Sequence, residues 1–190
     1  MVSNLLPASV VEELLERWAE PHRHYHSTSH LRSGLEALEQ LGGGPTERVA
    51  FWFHDAFHSN STPADETASA ELAAALLAGH LPAAEIAEVQ RLIMLTTHHQ
   101  PDASDLPGSR LCDADLSGMG SRWEDYLDNI TGIRAELPQF DEEQWRHGRA
   151  RFLERFLDHE WLFHTARGQE LWEHRARTNM ERELELLRGT

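Results

Sequence analysis

Apolar residues recur three and four apart along most of the chain, the period of an amphipathic helix. Val10, Val11, Leu14, Leu15 and Trp18 form the first such stripe, opened by Ser9 and ended by Pro21. Leu31, Leu35 and Leu38 form a second, which stops at the breaker Gly42-Gly43-Gly44-Pro45. The spacing predicts a third helix capped by Thr46, with Glu47 in its first turn, carrying Val49, Trp52 and Phe53 into His54-Asp55. After a polar loop from His58 to Pro63, an Ala-rich helix begins with Asp65 and Glu66 near its N-terminus and ends at Gly79. Pro82 starts a fifth, with Ile86, Val89, Leu92, Ile93 and Thr96 facing inward. The Pro, Asp, Gly and Ser residues of 101–109 read as the clearest loop. Three further helical stretches are expected over Trp123–Leu137, Asp141–Asp158 and Gly168–Leu187. No segment alternates apolar and polar residues with β-branched enrichment. The expectation is an all-α single domain, a helical bundle over 1–190.

Composition narrows the partners. A chain of 190 residues is long enough to bury a core without staples. Its 17 Lys+Arg against 32 Asp+Glu give a net charge of −15, which excludes holding a nucleic-acid polymer by counterion release. The single Cys112 excludes an intramolecular disulfide framework and a Cys-rich zinc site, and reads as a small buried hydrophobe. No run approaches 18 apolar residues, so no membrane span is expected. The N-terminal stretch lacks the basic start and small-residue cleavage site of a signal peptide, and a cytoplasmic location is expected. The 13 His are about three times an average share, and they direct attention to chemistry.

The histidines are not evenly spread. His22, His24, His26 and His30 cluster, and His26 and His30 stand four apart, as do His54 and His58. Asp113-Ala114-Asp115 lies in an apolar setting between Leu111 and Leu116. Imidazole and carboxylate together suit a divalent ion: Mn, Mg, Fe, Ni, Co or Zn. Such an ion polarises a phosphoryl oxygen and makes hydroxide accessible near neutral pH, while a spare His supplies a proton to the leaving oxygen. The plain alternative is a set of solvated surface histidines, since one His-Asp dipeptide is expected by chance in a chain this rich in His.

The order His30 … His54-Asp55 … Asp115 resembles the HD superfamily of metal-dependent phosphohydrolases, all-helical bundles with the signature His … His-Asp … Asp. Tyr25-His26-Ser27-Thr28-Ser29-His30 looks like the Tyr-His-Asn-x-x-His segment of the cyclic-nucleotide phosphodiesterase branch. His54-Asp55-Ala56-Phe57-His58 and Ala114-Asp115-Leu116-Ser117 are similar to two more of its strings. From about Glu20 onward, EPHRHYHSTSHL, FWFHDAF, DETASA, LTTHHQ, DADLSGMG, IRAE, HGRARFLERFL and ARTNMERELELL are similar to a compact bacterial family of predicted HD phosphohydrolases. The chain is too short for the full phosphodiesterase catalytic domain and shows no purine clamp, so cyclic-nucleotide specificity is not implied.

The resemblance implies that His30, His54, Asp55 and Asp115 ligate one divalent ion, with a metal-site core over about 20–120 completed by helices over about 121–190. It implies His26 as proton donor and Asp55 as both ligand and catalytic group. Glu66 either orients the attacking water, holds a second ion, or complements a helix dipole. His58 and Asp113 are read as support for the ligands. His99 is favoured over His98 as a phosphate or second-metal contact, because Thr96 … His99-Gln100 matches the family's Thr-x-x-His-Gln. Arg23 is the leading phosphate cation; Arg134 and Arg149 are equally helix salt bridges, with Glu136 and with Glu142 or Glu143. Phe51, Trp52, Phe53, Phe152 and Phe156 are expected in the core. The implied activity is hydrolysis of a small phosphate mono- or diester, with a nucleotide-like substrate favoured, and homo-oligomer contacts are open at the amphipathic C-terminal run. Two other readings stand: a di-iron oxygenase, with His80 and His98 or His99 on the second iron, and a non-catalytic metal- or ligand-binding protein.

Overall fold

In the computed structural model, which describes residues 5–189, the first apolar stripe becomes α1 (Ala8–Trp18). Residues 1–4 of the N-terminal stretch lie outside the described residues. Val10, Leu14 and Trp18 are buried at three- and four-residue spacing, as one helix face must be. A side chain such as Leu14, fully enclosed, contributes about 1.5–3 kcal/mol by leaving water. The helix starts one residue before Ser9, after Pro7, whose fixed φ suits a helix entrance.

Next come α2 (Thr28–Gln40), α3 (Pro45–Phe53), α4 (Ala64–Leu77) and α5 (Ala83–Leu95). Ser27 caps α2 by accepting from the Ser29 amide. Thr46 is not the cap of α3: Pro45 takes the first helical position and Gly44 precedes it, so Thr46 lies inside the first turn. Five of the nine residues of α3 form the run Val49–Phe53, all buried, which makes it the central rod of the bundle. The loop expected over 101–109 is shorter than its composition suggests. Asp105 caps α6 (Leu106–Leu116) by accepting from the Gly108 amide, and Pro107 sits in the first turn where its missing N–H costs nothing.

A 3₁₀ turn, Ser117–Gly120, leads to α7 (Trp123–Ala135) and α8 (Glu142–Leu157), the latter opened by an Asp141–Gln144 capping box. The chain ends with α9 (Ala166–Gly168), a π-helical segment Gln169–Glu173 and α10 (His174–Arg188). Two apolar cores result. One lies among α1–α6, the other among α7, α8 and α10. The C-terminal run does not leave its apolar face free: Ala176, Met180 and Leu184 of α10 are buried in the second core. No strand is present among the described residues, and no helix there is long and apolar enough to cross a membrane. Cys112 is fully buried, and that burial pushes its thiol pKa up.

Candidate metal centre

Three segments bring the candidate chemistry together: the entrance of α2, the C-terminal end of α3 and the last turn of α6. Close packing of α2 on α3 depends on Gly34, because a Cβ there would fall inside the Phe51 ring. That approach sets the His30 and His54 ring centroids 5.5 Å apart.

His54 is buried, and its Nδ1 lies 2.9 Å from the Phe51 carbonyl. A carbonyl only accepts, so Nδ1 donates and Nε2 is the nitrogen offered to the site. Nε2 lies 3.1 Å from Asp55 Oδ2 and 3.3 Å from Asp115 Oδ1. His30 Nε2 is 2.9 Å from the same Asp115 oxygen and 4.0 Å from Asp55 Oδ2. A cation bonded at about 2.1 Å holds ligand atoms about 3.0–3.4 Å apart at octahedral or tetrahedral angles. The observed spacings bracket that range. His54 Nε2 and Asp55 Oδ2 are also buried without a hydrogen-bond partner, a rare condition that a bound cation relieves for both. His30, His54 and Asp115 hold their ligand atoms within 4.8 Å of one another and fit a divalent ion, with Asp55 Oδ2 beside them, 3.1 Å from His54 Nε2.

The electrostatics agree with the geometry. Burial alone disfavours charge on His54, yet the adjacent Asp55 and Asp115 carboxylates outweigh it and raise its pKa well above the ordinary value. Burial likewise pushes Asp55 and Asp115 up, and the His54 charge overcomes it, holding both below the usual carboxylate range. The site therefore keeps two carboxylates ionised in a buried place.

Beside this cluster stands a second. His26 Nδ1 lies 2.6 Å from Glu136 Oε2, and His58 Nε2 lies 3.4 Å from the same oxygen. The His26 and His58 rings stack at 4.0 Å. Glu136 Oε1 accepts the backbone amides of His24, Tyr25 and His26, at 2.7, 2.7 and 2.9 Å. One carboxylate thus shapes the turn and aims the ring. A carboxylate can only accept, so His26 donates from Nδ1, and Nε2 has no protein partner among the described residues. Burial lowers the His26 pKa, with Glu136 opposing it. For Glu136, burial acts upward, but the His26 hydrogen bond and the adjacent His58 imidazole prevail and hold it far below the usual range.

Glu136 carries no mark in the sequence beyond its place in IRAE and near Arg134. Its folded pKa lies below the unfolded one, so its stabilising contribution is complete above roughly pH 5 and is lost as pH falls toward the folded value. Thermal melts of wild type and Glu136→Gln across pH 3 to 7 check this. The wild-type melting temperature is expected to fall more steeply below pH 5 than that of the variant; parallel curves would refute it.

The remaining candidates divide. His99, with a left-handed φ of 54°, places Nε2 2.7 Å from Asp115 Oδ2. It orients Asp115, which takes that ring nitrogen away from the phosphate contact expected of it. His58 supports His26 and Glu136 as described. Asp113 is fully buried and accepts from the His164 and Thr165 amides and the Thr165 hydroxyl. Through that segment it steadies His164, whose Nε2 lies 2.9 Å from the His99 carbonyl. Arg23 is not free for phosphate: its buried guanidinium donates to Glu20 and to the carbonyls of His26, Asp55 and Ala56. Glu66 is not joined to either cluster; among the described residues its one hydrogen-bond partner is Thr62, at 2.8 Å. Arg149 pairs with Glu183 rather than Glu142 or Glu143, and Arg134 lies 3.7 Å from Glu142 rather than beside Glu136. His80 is exposed beyond α4, outside both clusters.

His26, His99 and Asp115 line one wall of a cavity of about 680 Å³ whose other walls come from α7 and α8. Phe51, Trp52 and Phe53 are core residues as expected, but Phe152 and Phe156 are half-buried and face this cavity. Comparisons with protein-family models, with curated proteins and with solved structures return no match. The likeness to the HD phosphohydrolases therefore rests on the motif strings of the chain itself.

Proposed function

We propose that the protein is an HD-type phosphohydrolase that cleaves a small phosphate ester with the help of one divalent ion. The observation that carries this reading is the convergence of His30, His54, Asp55 and Asp115 beside a partnered but unspent imidazole, at the wall of a ligand-sized cavity. A divalent ion held by those four residues would supply Lewis acidity and a more acidic water. The chain's own part is to exclude bulk solvent, position the ester and move one proton. As a water oxygen bonds to phosphorus and the ester P–O bond breaks, the departing oxygen takes a proton from His26 Nε2. Glu136 opposes the burial that disfavours the imidazolium form and fixes the ring throughout.

The test is hydrolysis of p-nitrophenyl phosphate and its bis ester by protein loaded with Mn, Mg, Co, Ni, Fe or Zn. Turnover that is lost with chelator and restored by metal is expected. Inactivity of every loaded form on a broad panel of phosphate esters would remove this reading. His26→Ala adds a finer check. An alkyl ester, whose leaving oxygen needs a proton, is expected to lose about a hundredfold, and p-nitrophenyl phosphate much less.

A two-ion reading also has an observation behind it. His26, His58 and Glu136 form a second group with ligand atoms close enough for a cation, and His58 Nε2 is buried without a hydrogen-bond partner. Metal counting separates the two. One ion per chain leaves His26 as proton donor; two would place His26 and Glu136 in coordination instead.

A further inference from the structure

The cavity beside the metal cluster says more about the substrate than the cluster does. Ile130 and Ile133 of α7, Phe140 after it, and Trp145, Phe152 and Phe156 of α8 line the space opposite Asp115 and His26. The Phe152 and Phe156 rings lie 4.6 Å apart, and Phe140 remains 43% exposed, a large aromatic left open to solvent at the cavity. Exposed apolar rings clustered in one concave site mark a place for an apolar ligand group. About 680 Å³ is room for a drug-sized organic group, far beyond a phosphate and a short polyol.

The charges lining it argue in the same direction. Among the described residues its guanidinium groups are those of Arg149 and Arg155. Arg149 is neutralised by two hydrogen bonds to Glu183, at 2.8 and 3.0 Å. Arg155 stands over the Phe152 and Phe156 rings, at 6.0 and 5.6 Å from their centroids. A polyphosphate chain needs several permanently charged groups, and of the two guanidiniums here one is already paired. Polar groups such as Thr96, Thr97, Asn129 and Gln144 also line the space, but the wall contributed by α7 and α8 is mostly apolar and aromatic.

Resting on the proposed reading of the metal cluster, we infer that the substrate is a monophosphate ester of a bulky, largely apolar alcohol or phenol. The phosphate lies at the His/Asp cluster and the organic group fills the space between α7 and α8. This class is distinct from nucleotides and from phosphates of small polyols.

Gly148 supplies the means to test it. It lies in α8 on the cavity wall, and a Cβ placed there meets nothing within 4 Å. Gly148 is exposed at the cavity edge, so Gly148→Leu adds apolar bulk at that edge while improving helix propensity, and the helix is not weakened by the change. Isothermal titration of the metal-loaded protein would compare 1-naphthyl phosphate, adenosine monophosphate and glycerol 2-phosphate. The expected result is naphthyl phosphate binding about tenfold or more tighter than either of the others, with Gly148→Leu collapsing that ratio toward one. Equal affinities, tighter binding of the nucleotide, or a ratio untouched by Gly148→Leu would each overturn the inference. Turnover of the same three esters is measured in parallel. Selective binding with no hydrolysis of any ester would leave the ligand class standing and defeat the hydrolytic reading, so the two failures are distinguishable.

Discussion

Replacing His54 with Ala is expected to abolish the rise in melting temperature that a saturating divalent ion gives the wild type, and to lower ester hydrolysis about a thousandfold or more. His54 Nε2 and Asp55 Oδ2 are buried without a hydrogen-bond partner, a state that an ion relieves. Binding to the folded form alone adds about 2.7 kcal/mol at a hundredfold excess over the dissociation constant. For a chain of this length that is about 5–10 °C. Without the imidazole, the ring that Phe51 orients is gone, Asp55 loses its nearest imidazole nitrogen and Asp115 loses one of its three imidazole neighbours. A thousandfold loss corresponds to about 4 kcal/mol of transition-state stabilisation. His80→Ala, on the exposed end beyond α4, serves as the control and is expected to change neither measurement. Thermal melts with and without metal, together with bound-metal analysis, decide the matter; a His54→Ala variant that still gains the full metal-induced shift would refute the assignment.

The contrast between His54 and Glu136 shows which parts of this centre a sequence exposes. His26 and His30, like His54 and Asp55, are local in the chain, and their spacing can be read because both pairs sit at helix ends with defined geometry. The helices themselves were legible for the same reason: Val10, Leu14 and Trp18 carry their period openly. Glu136 reaches His26 from 110 positions away, and nothing local distinguishes it from any acidic residue after a helix. Its position at the C-cap of α7 is one where a helix dipole disfavours a carboxylate, so only the tertiary partners account for it. α6 was hidden differently. Asp105, Pro107 and Gly108 have the composition of a loop, yet an Asp cap followed by Pro in the first turn is equally the start of a helix, and the buried Leu111, Cys112 and Ala114 settle which applies. The cavity wall was the least readable. Phe152 and Phe156 carry core periodicity, and only the tertiary arrangement places them on the wall of a ligand-sized space.

The largest effect on stability is expected at Arg23, whose chemistry in sequence pointed outward to phosphate and whose place in the fold is inward. Its side chain is fully enclosed, against the Trp18 ring at 5.6 Å. Nε donates to Glu20 at 3.0 Å, one Nη to the carbonyls of His26 and Asp55 at 3.3 and 2.7 Å, and the other to Ala56 at 3.2 Å. The guanidinium therefore clips the His-rich turn to the end of α3 and holds His26 and Asp55 in register. Arg23→Ala strands three carbonyls, each worth about 1–3 kcal/mol when buried without a donor. Partial hydration of the vacated space reduces the sum, leaving a loss of about 3–5 kcal/mol and about 10 °C in melting temperature. Arg23→Lys is expected to recover only a minor part, because one ammonium cannot span the three carbonyls that a planar fork reaches. The competing role gives a different signature. An arginine that binds substrate phosphate would, on replacement, raise KM while leaving the melting temperature where it was. A cold-stable Arg23→Ala protein with normal unfolding and impaired substrate binding would restore the phosphate role that the buried guanidinium argues against.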